Sequence, residues 1–181
     1  MIRSNTCADF TKGNLPRRVY WDSCCFLGLI NQETGKASDC TGLWTEAEAG
    51  KTIIYTSFFT FTEVVRAKCE GITKPLPETE DAVIVQLLRQ PWVRTLILDE
   101  RIAIAARRLL RLHAECKKPS DGIHLATALS MNLDEMHTYD GSDLLKLDGK
   151  VQRVDGKQQV ICLPKPLPPD SAAVETQPLF L

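Results

Sequence analysis

The feature that most constrains this chain is an alternation: short apolar runs suited to strands are each followed by a longer stretch at helical spacing. The runs fall at residues 18–21, 52–56, 93–98, 135–139 and 159–163. Helices are predicted over 23–31, 43–49, 57–70, 78–90, 99–115 and 119–131. Gly50, Gly71 and Pro91 stand where helix-ending residues belong. Ile102, Ala105, Ala106, Leu109 and Leu110 form an apolar stripe at helical spacing. Strands joined through helices must cross over, which gives a largely parallel sheet covered on both faces. The predicted class is α/β, with one domain over 17–163, an extension at 1–16 and a tail at 164–181 that holds half of the ten prolines.

At 181 residues, 44% apolar and 25% charged, one core is the normal arrangement. Basic and acidic residues nearly balance at a net −1, so any attraction for nucleic acid must be local rather than global. No apolar run approaches the roughly 18 residues of a membrane span. The first residues lack the apolar centre of a signal peptide, and a cytoplasmic protein is expected. Seven cysteines at 7, 24, 25, 40, 69, 116 and 162, with no Cys-x-x-Cys spacing, read as reduced thiols. A vicinal disulfide at Cys24 and Cys25 or a zinc site is the alternative.

In an open α/β sheet, ligands bind outside the carboxyl ends of the strands. Asp22 ends the first strand, in RRVYWDSCCFLGLIN, and Asp140 ends the fourth, in MHTYDGSD. Glu63 lies about two turns into the predicted helix after the second strand. Asp121 opens the helix that feeds the fourth. All four can reach one rim. Each also has a plain structural reading: Asp22 and Asp121 as helix-end acids, Asp140 as a turn residue before Gly141, Glu63 as a solvated charge. If they do meet, crowded carboxylates must take up protons or hold cations. Oxygen-only ligands favour Mg2+ or Mn2+, and the matching chemistry is phosphodiester hydrolysis.

The segments VYWDSCCFLGLI, SFFTFTEV, SDGIHLATAL and TYDGSDLL, in this order and spacing, resemble the PIN-domain nucleases, in particular the small VapC-type toxins. The resemblance spans residues 17–163. It implies a three-layer α/β/α sandwich whose five-stranded parallel sheet has the order 3-2-1-4-5. It further implies a Mg2+- or Mn2+-dependent endoribonuclease with Asp22, Glu63, Asp121 and Asp140 as metal ligands. Ser57 and Thr138 match polar positions that hold the carboxylates in place. A toxin would bring an antitoxin whose tail fills the groove, and a homodimer.

Asp143 either joins the site or starts a helix. His124, one turn from Asp121, is read as a structural hydrogen-bonding residue rather than a contact to the scissile phosphate. Arg17, Arg18, Arg66 and Lys68 are the basic residues nearest the acids in sequence and the candidates for RNA backbone contacts. Arg101, Arg107, Arg108, Arg111, Lys117 and Lys118 read as a solvated exterior. The long connection 32–51 either covers the site, shapes access to it or enlarges one face. The competing reading of the whole chain is a non-catalytic PIN-like module that binds RNA or protein.

Overall fold

A computed structural model describes residues 15–65 and 77–168. Its elements run β1 (Arg17–Trp21), α1 (Ser23–Ile30), α2 (Ala37–Glu48), β2 (Thr52–Ser57), α3 (Thr60–Glu63), α4 (Glu78–Leu87), β3 (Val93–Leu96), α5 (Glu100–Leu112), α6 (Pro119–Ser130), β4 (Glu135–His137) and β5 (Val160–Cys162). A 3-10 turn at Leu144–Leu147 separates the last two strands. All strand pairings are parallel, in the order β3-β2-β1-β4-β5.

β1 is central and explains the two cores. Alternate side chains of a strand point to opposite faces. Val19 and Trp21 therefore pack with Phe26, Leu43, Ile54, Leu88 and Val93, while Tyr20 packs with Leu125, Leu133, Met136, Leu147 and Ile161. Helices cover both faces, as a parallel sheet requires. α5 and α6 lie so close that a Cβ on Gly122 would come within 3.2 Å of the Ala106 carbonyl oxygen. Among the described residues, no helix is long and apolar enough to cross a membrane.

Several boundaries differ from the sequence pattern. The predicted helix at 43–49 begins earlier, at Ala37. Its first half is polar and contains Gly42, so propensity hides it; burial of Cys40 against the core holds it. α2 turns one face of the 32–51 connection, Cys40, Leu43 and Ala47, into the core, and Trp44 lies between Trp21 and Trp92, tilted to the first and edge-on to the second, at centroid distances of 6.3 and 5.5 Å. Residues after β5 lie along α2: a Cβ on Gly42 would meet Pro166 at 2.7 Å.

The predicted helix at 57–70 is corrected. β2 continues to Ser57, and α3 is a single turn that Val64 leaves at φ −84° and ψ 59°. Glu63 therefore sits at the end of one turn, not two turns into a helix. Residues 66–70 of that predicted helix lie outside the described residues. Among the described cysteines, Cys24, Cys25, Cys40, Cys116 and Cys162 are free thiols.

Candidate metal centre

The chain leaves β1 at Asp22, whose carboxylate caps α1. Its Oδ1 accepts from the amides of Cys24 and Cys25 at 3.1 and 3.3 Å and from the Cys24 thiol at 2.7 Å. Its Oδ2 accepts from the Thr138 hydroxyl at 2.6 Å. The same hydroxyl oxygen accepts from the Asp140 amide at 2.9 Å. Because β1 and β4 are neighbours in the sheet, one threonine ties the acid after β1 to the backbone of the acid after β4.

Three aspartates crowd beside this point. Asp121, in the first turn of α6, and Asp140 and Asp143, after β4, each place a carboxylate oxygen within 4.8 Å of the others. Asp121 and Asp143 are buried at 7% and 3% exposure. Asp140 is well supplied: its Oδ1 accepts from the amides of Ser142 and Asp143, both at 3.0 Å, and from the Ser142 hydroxyl at 2.6 Å. Burial works to raise its carboxyl, but the Ser142 hydroxyl, the Asp143 amide and Lys118 together hold it below the usual range.

Asp121 is the opposite case. Its Oδ1 accepts from the Ser120 hydroxyl at 3.3 Å, while its buried Oδ2 has no hydrogen-bond partner. Burial first, then the charges of Asp140 and Asp143, push this carboxyl above its ordinary value against the pull of Lys118. The Lys118 ammonium stands 3.9 Å from Asp121, 3.3 Å from Asp140 and 3.6 Å from Asp143. Lys117 donates to the other Asp143 oxygen at 3.0 Å.

Glu63 and Asp22 border this set without belonging to it. The Glu63 carboxylate accepts from His124 Nε2 at 2.6 Å. Burial opposes its ionisation, yet His124 and the hydroxyls of Ser23 and Ser120 bring its pKa below the ordinary value. Ser120 thus serves both Glu63 and Asp121. His124 is buried, and its Nδ1 meets the Tyr20 hydroxyl at 2.7 Å, so its ring bridges core and site.

Some residues singled out in the sequence lie elsewhere. The Ser57 hydroxyl accepts from the Phe59 amide at 3.1 Å and shapes the turn after β2; among the described residues it holds no carboxylate. Ser23 and Ser120 take that part, and adjacency to Asp22 and Asp121 in sequence was the available signal. Arg17 and Arg18, the candidate RNA contacts nearest the acids in sequence, lie away from them in space. They start β1, about 13–17 Å of strand away from Asp22 at its far end. There Arg17 pairs with Glu135 and Arg18 with Asp134, so the opposite rim occupies them. Arg66 and Lys68 lie outside the described residues. Lys117 and Lys118, read as exterior charges, are the cations on the acids.

The sequence profile of the PIN domain matches residues 19–150. Among solved structures, the chain is similar to VapC20 of Mycobacterium tuberculosis, described as a sarcin-ricin loop cleaving toxin. That likeness has a TM-score of 0.54 and 16% identity over 68% of this chain and 90% of the other. It is also similar to a chain of a toxin–antitoxin complex from Klebsiella pneumoniae, with a TM-score of 0.51 and 18% identity over 82% and 99%. At these identities the likeness is one of fold. No curated protein sequence matches the chain.

Proposed function

The chain belongs to the PIN-domain family, and from that premise we propose that it is a Mg2+- or Mn2+-dependent endoribonuclease, the toxin of a toxin–antitoxin pair. The observation that carries the reading is the set of Asp121, Asp140 and Asp143, with oxygens within 4.8 Å and one of them, Asp121 Oδ2, buried without a hydrogen bond. An unsatisfied buried carboxylate oxygen is costly unless something positive answers it. The donor set is all oxygen, which suits a small hard divalent ion and not zinc.

Asp121, Asp140 and Asp143 would hold the ion, and Asp22 and Glu63 are the further acids that the family resemblance assigns to it. When bound, such an ion polarises a phosphodiester and orients a water for in-line attack. The chain's own residues prepare the place. Thr138 fixes Asp22 relative to the Asp140 backbone. The amides of Ser142 and Asp143 hold the Asp140 carboxylate in one orientation. His124, anchored by Tyr20, holds Glu63 in its ionised form at the mouth. Such outer contacts orient the acids and keep them charged.

The toxin reading is supported by the two neighbours of like fold, one described as a cleaving toxin and the other as part of a toxin–antitoxin complex. An antitoxin that covers the acidic edge is the partner this implies. One observation favours the non-catalytic module instead: Lys118 offers the cluster a positive charge from within the chain. The experiment is cleavage of a generic RNA, and of DNA of equal length, in Mg2+, Mn2+ or chelator. RNA cut with metal and left whole with chelator is the expected result. Failure to cut either polymer in any metal would leave the binding module, and equal cutting of both would remove RNA from the reading.

A further inference from the structure

The three-aspartate set comes with a cation of its own. Lys118 occupies the position just before α6, so its backbone is fixed beside Asp121 at the helix start. Its ammonium reaches all three acids, meeting the Oδ2 atoms of Asp121, Asp140 and Asp143. Asp121 Oδ2 has no other partner. Lys117, just before it in sequence, is placed differently: of the three aspartates it meets Asp143, through the other oxygen.

A lysine ammonium is a compact, strongly hydrated point charge on a flexible stem. It can neutralise only part of the charge of three carboxylates, whereas a divalent ion concentrates twice its charge at the same oxygens. Both cannot use those oxygens together, because two cations a few ångströms apart repel in a partly buried site. The Lys118 side chain is 59% exposed, so water is at hand to receive the ammonium when it leaves.

We propose that Lys118 is an internal rival of the divalent cation: it holds the seat formed by Asp121, Asp140 and Asp143 in the metal-free protein, is displaced when the ion enters, and thereby sets the affinity for metal. The inference rests on the metal-centre reading above and adds its regulation. The chain carries the counter-charge that keeps its acids tolerable without metal, and the ion must overcome that charge to load the site. Lys118 is a residue that tunes loading, not one that touches the reacting phosphate.

The test is the binding of Mn2+, followed by calorimetry and by the electron paramagnetic resonance of the free ion, to the parent, Lys118→Met and Lys117→Met. Lys118→Met is expected to bind about tenfold more tightly than the parent, and Lys117→Met to gain less than about threefold. A second measurement needs no variant and so survives a failure of Lys118→Met to fold. The side-chain NMR signal of Lys118 in the parent should move on Mg2+ titration as its carboxylate contacts are lost. Equal affinities for parent and Lys118→Met, equal gains from both lysine variants, or an unmoved Lys118 signal in metal-saturated protein would overturn the rivalry and leave the metal centre standing. Absence of Mn2+ binding in all three proteins would remove the metal centre, and the inference with it.

Discussion

The two edges of the sheet carry charge on opposite plans. At the edge where the strands begin, acids are matched one to one: Glu135 with Arg17, Asp134 with Arg18, and Asp155 with Arg153. Glu135 also accepts from His137 at 2.9 Å. Its pKa falls to about 2 because the His137 hydrogen bond, with Arg17, outweighs burial. At the edge where the strands end, three aspartates share the lysine pair 117–118, and Asp121 is raised instead of lowered. Pairing at the first edge yields stability, whereas the second keeps a surplus of negative oxygen that folding alone would not select. That surplus is what a cation-dependent site would need, and under the proposed function the contrast would separate charge kept for structure from charge kept for chemistry.

The sharpest way to break this contrast is Asp121→Asn. If the acidic edge is chemical, cleavage in saturating Mg2+ should fall on the order of a thousandfold, beyond the roughly 10–100-fold typical of residues one hydrogen bond behind a metal ligand. The thermal midpoint in chelator should stay level or rise, because the change relieves repulsion at a buried carboxylate. Initial rates on RNA and a melting curve decide it. A variant that melts early yet still cuts would make Asp121 a structural acid, and the two edges would then follow one plan.

What could be read from the sequence follows the same division. Asp22 and Asp140 were legible because a strand that ends on an acid at the exit side of a parallel sheet leaves that acid little choice of place. The strand order could be stated in advance through the family resemblance, and the alternation alone gave the parallel class. Lys118 was not legible as a partner. A lysine beside another lysine before a proline looks like solvated surface, and only packing of α6 beside the exit of β4 brings it to Asp140. Arg17 lies farther from the acids than its place in the sequence suggests, for the mirror reason. Four residues of β1 separate it from Asp22 in sequence, which looks close, but an extended strand turns that interval into the full distance between the two edges of the sheet. The first half of α2 was hidden by polar residues that say nothing of Cys40 entering the core.

A smaller effect tests the structural edge. Glu135→Gln should cost no more than about 3 kcal/mol at neutral pH, the size that a fall to about 2 implies. The pKa is lower in the folded state than in the unfolded one, so this stability is fully present above the ordinary carboxyl value and is lost as pH falls toward the folded value. The gap between parent and variant in urea unfolding should hold from pH 7 to about pH 5 and close between about pH 4.5 and 2. A gap that stays constant down to the acid limit would mean that Glu135 acts through packing, and the ion-pair account of this edge would fail.

The smallest effect is expected at Arg18, and its smallness is informative. Its guanidinium lies 3.7 Å from Asp134 with both side chains nearly half exposed, a geometry worth less than about 1 kcal/mol. It also donates to the Asn132 carbonyl at 2.9 Å, which ties it to the loop before β4 and not to the acids beyond Trp21. Arg18→Ala should therefore leave stability within that margin and leave RNA cleavage unchanged across a series of salt concentrations. A phosphate contact would show as a shallower dependence of KM on salt, because each cation removed releases one counterion fewer. A shallower slope for Arg18→Ala would carry the RNA path across both edges of the sheet, and the amino edge could no longer be described as structural alone.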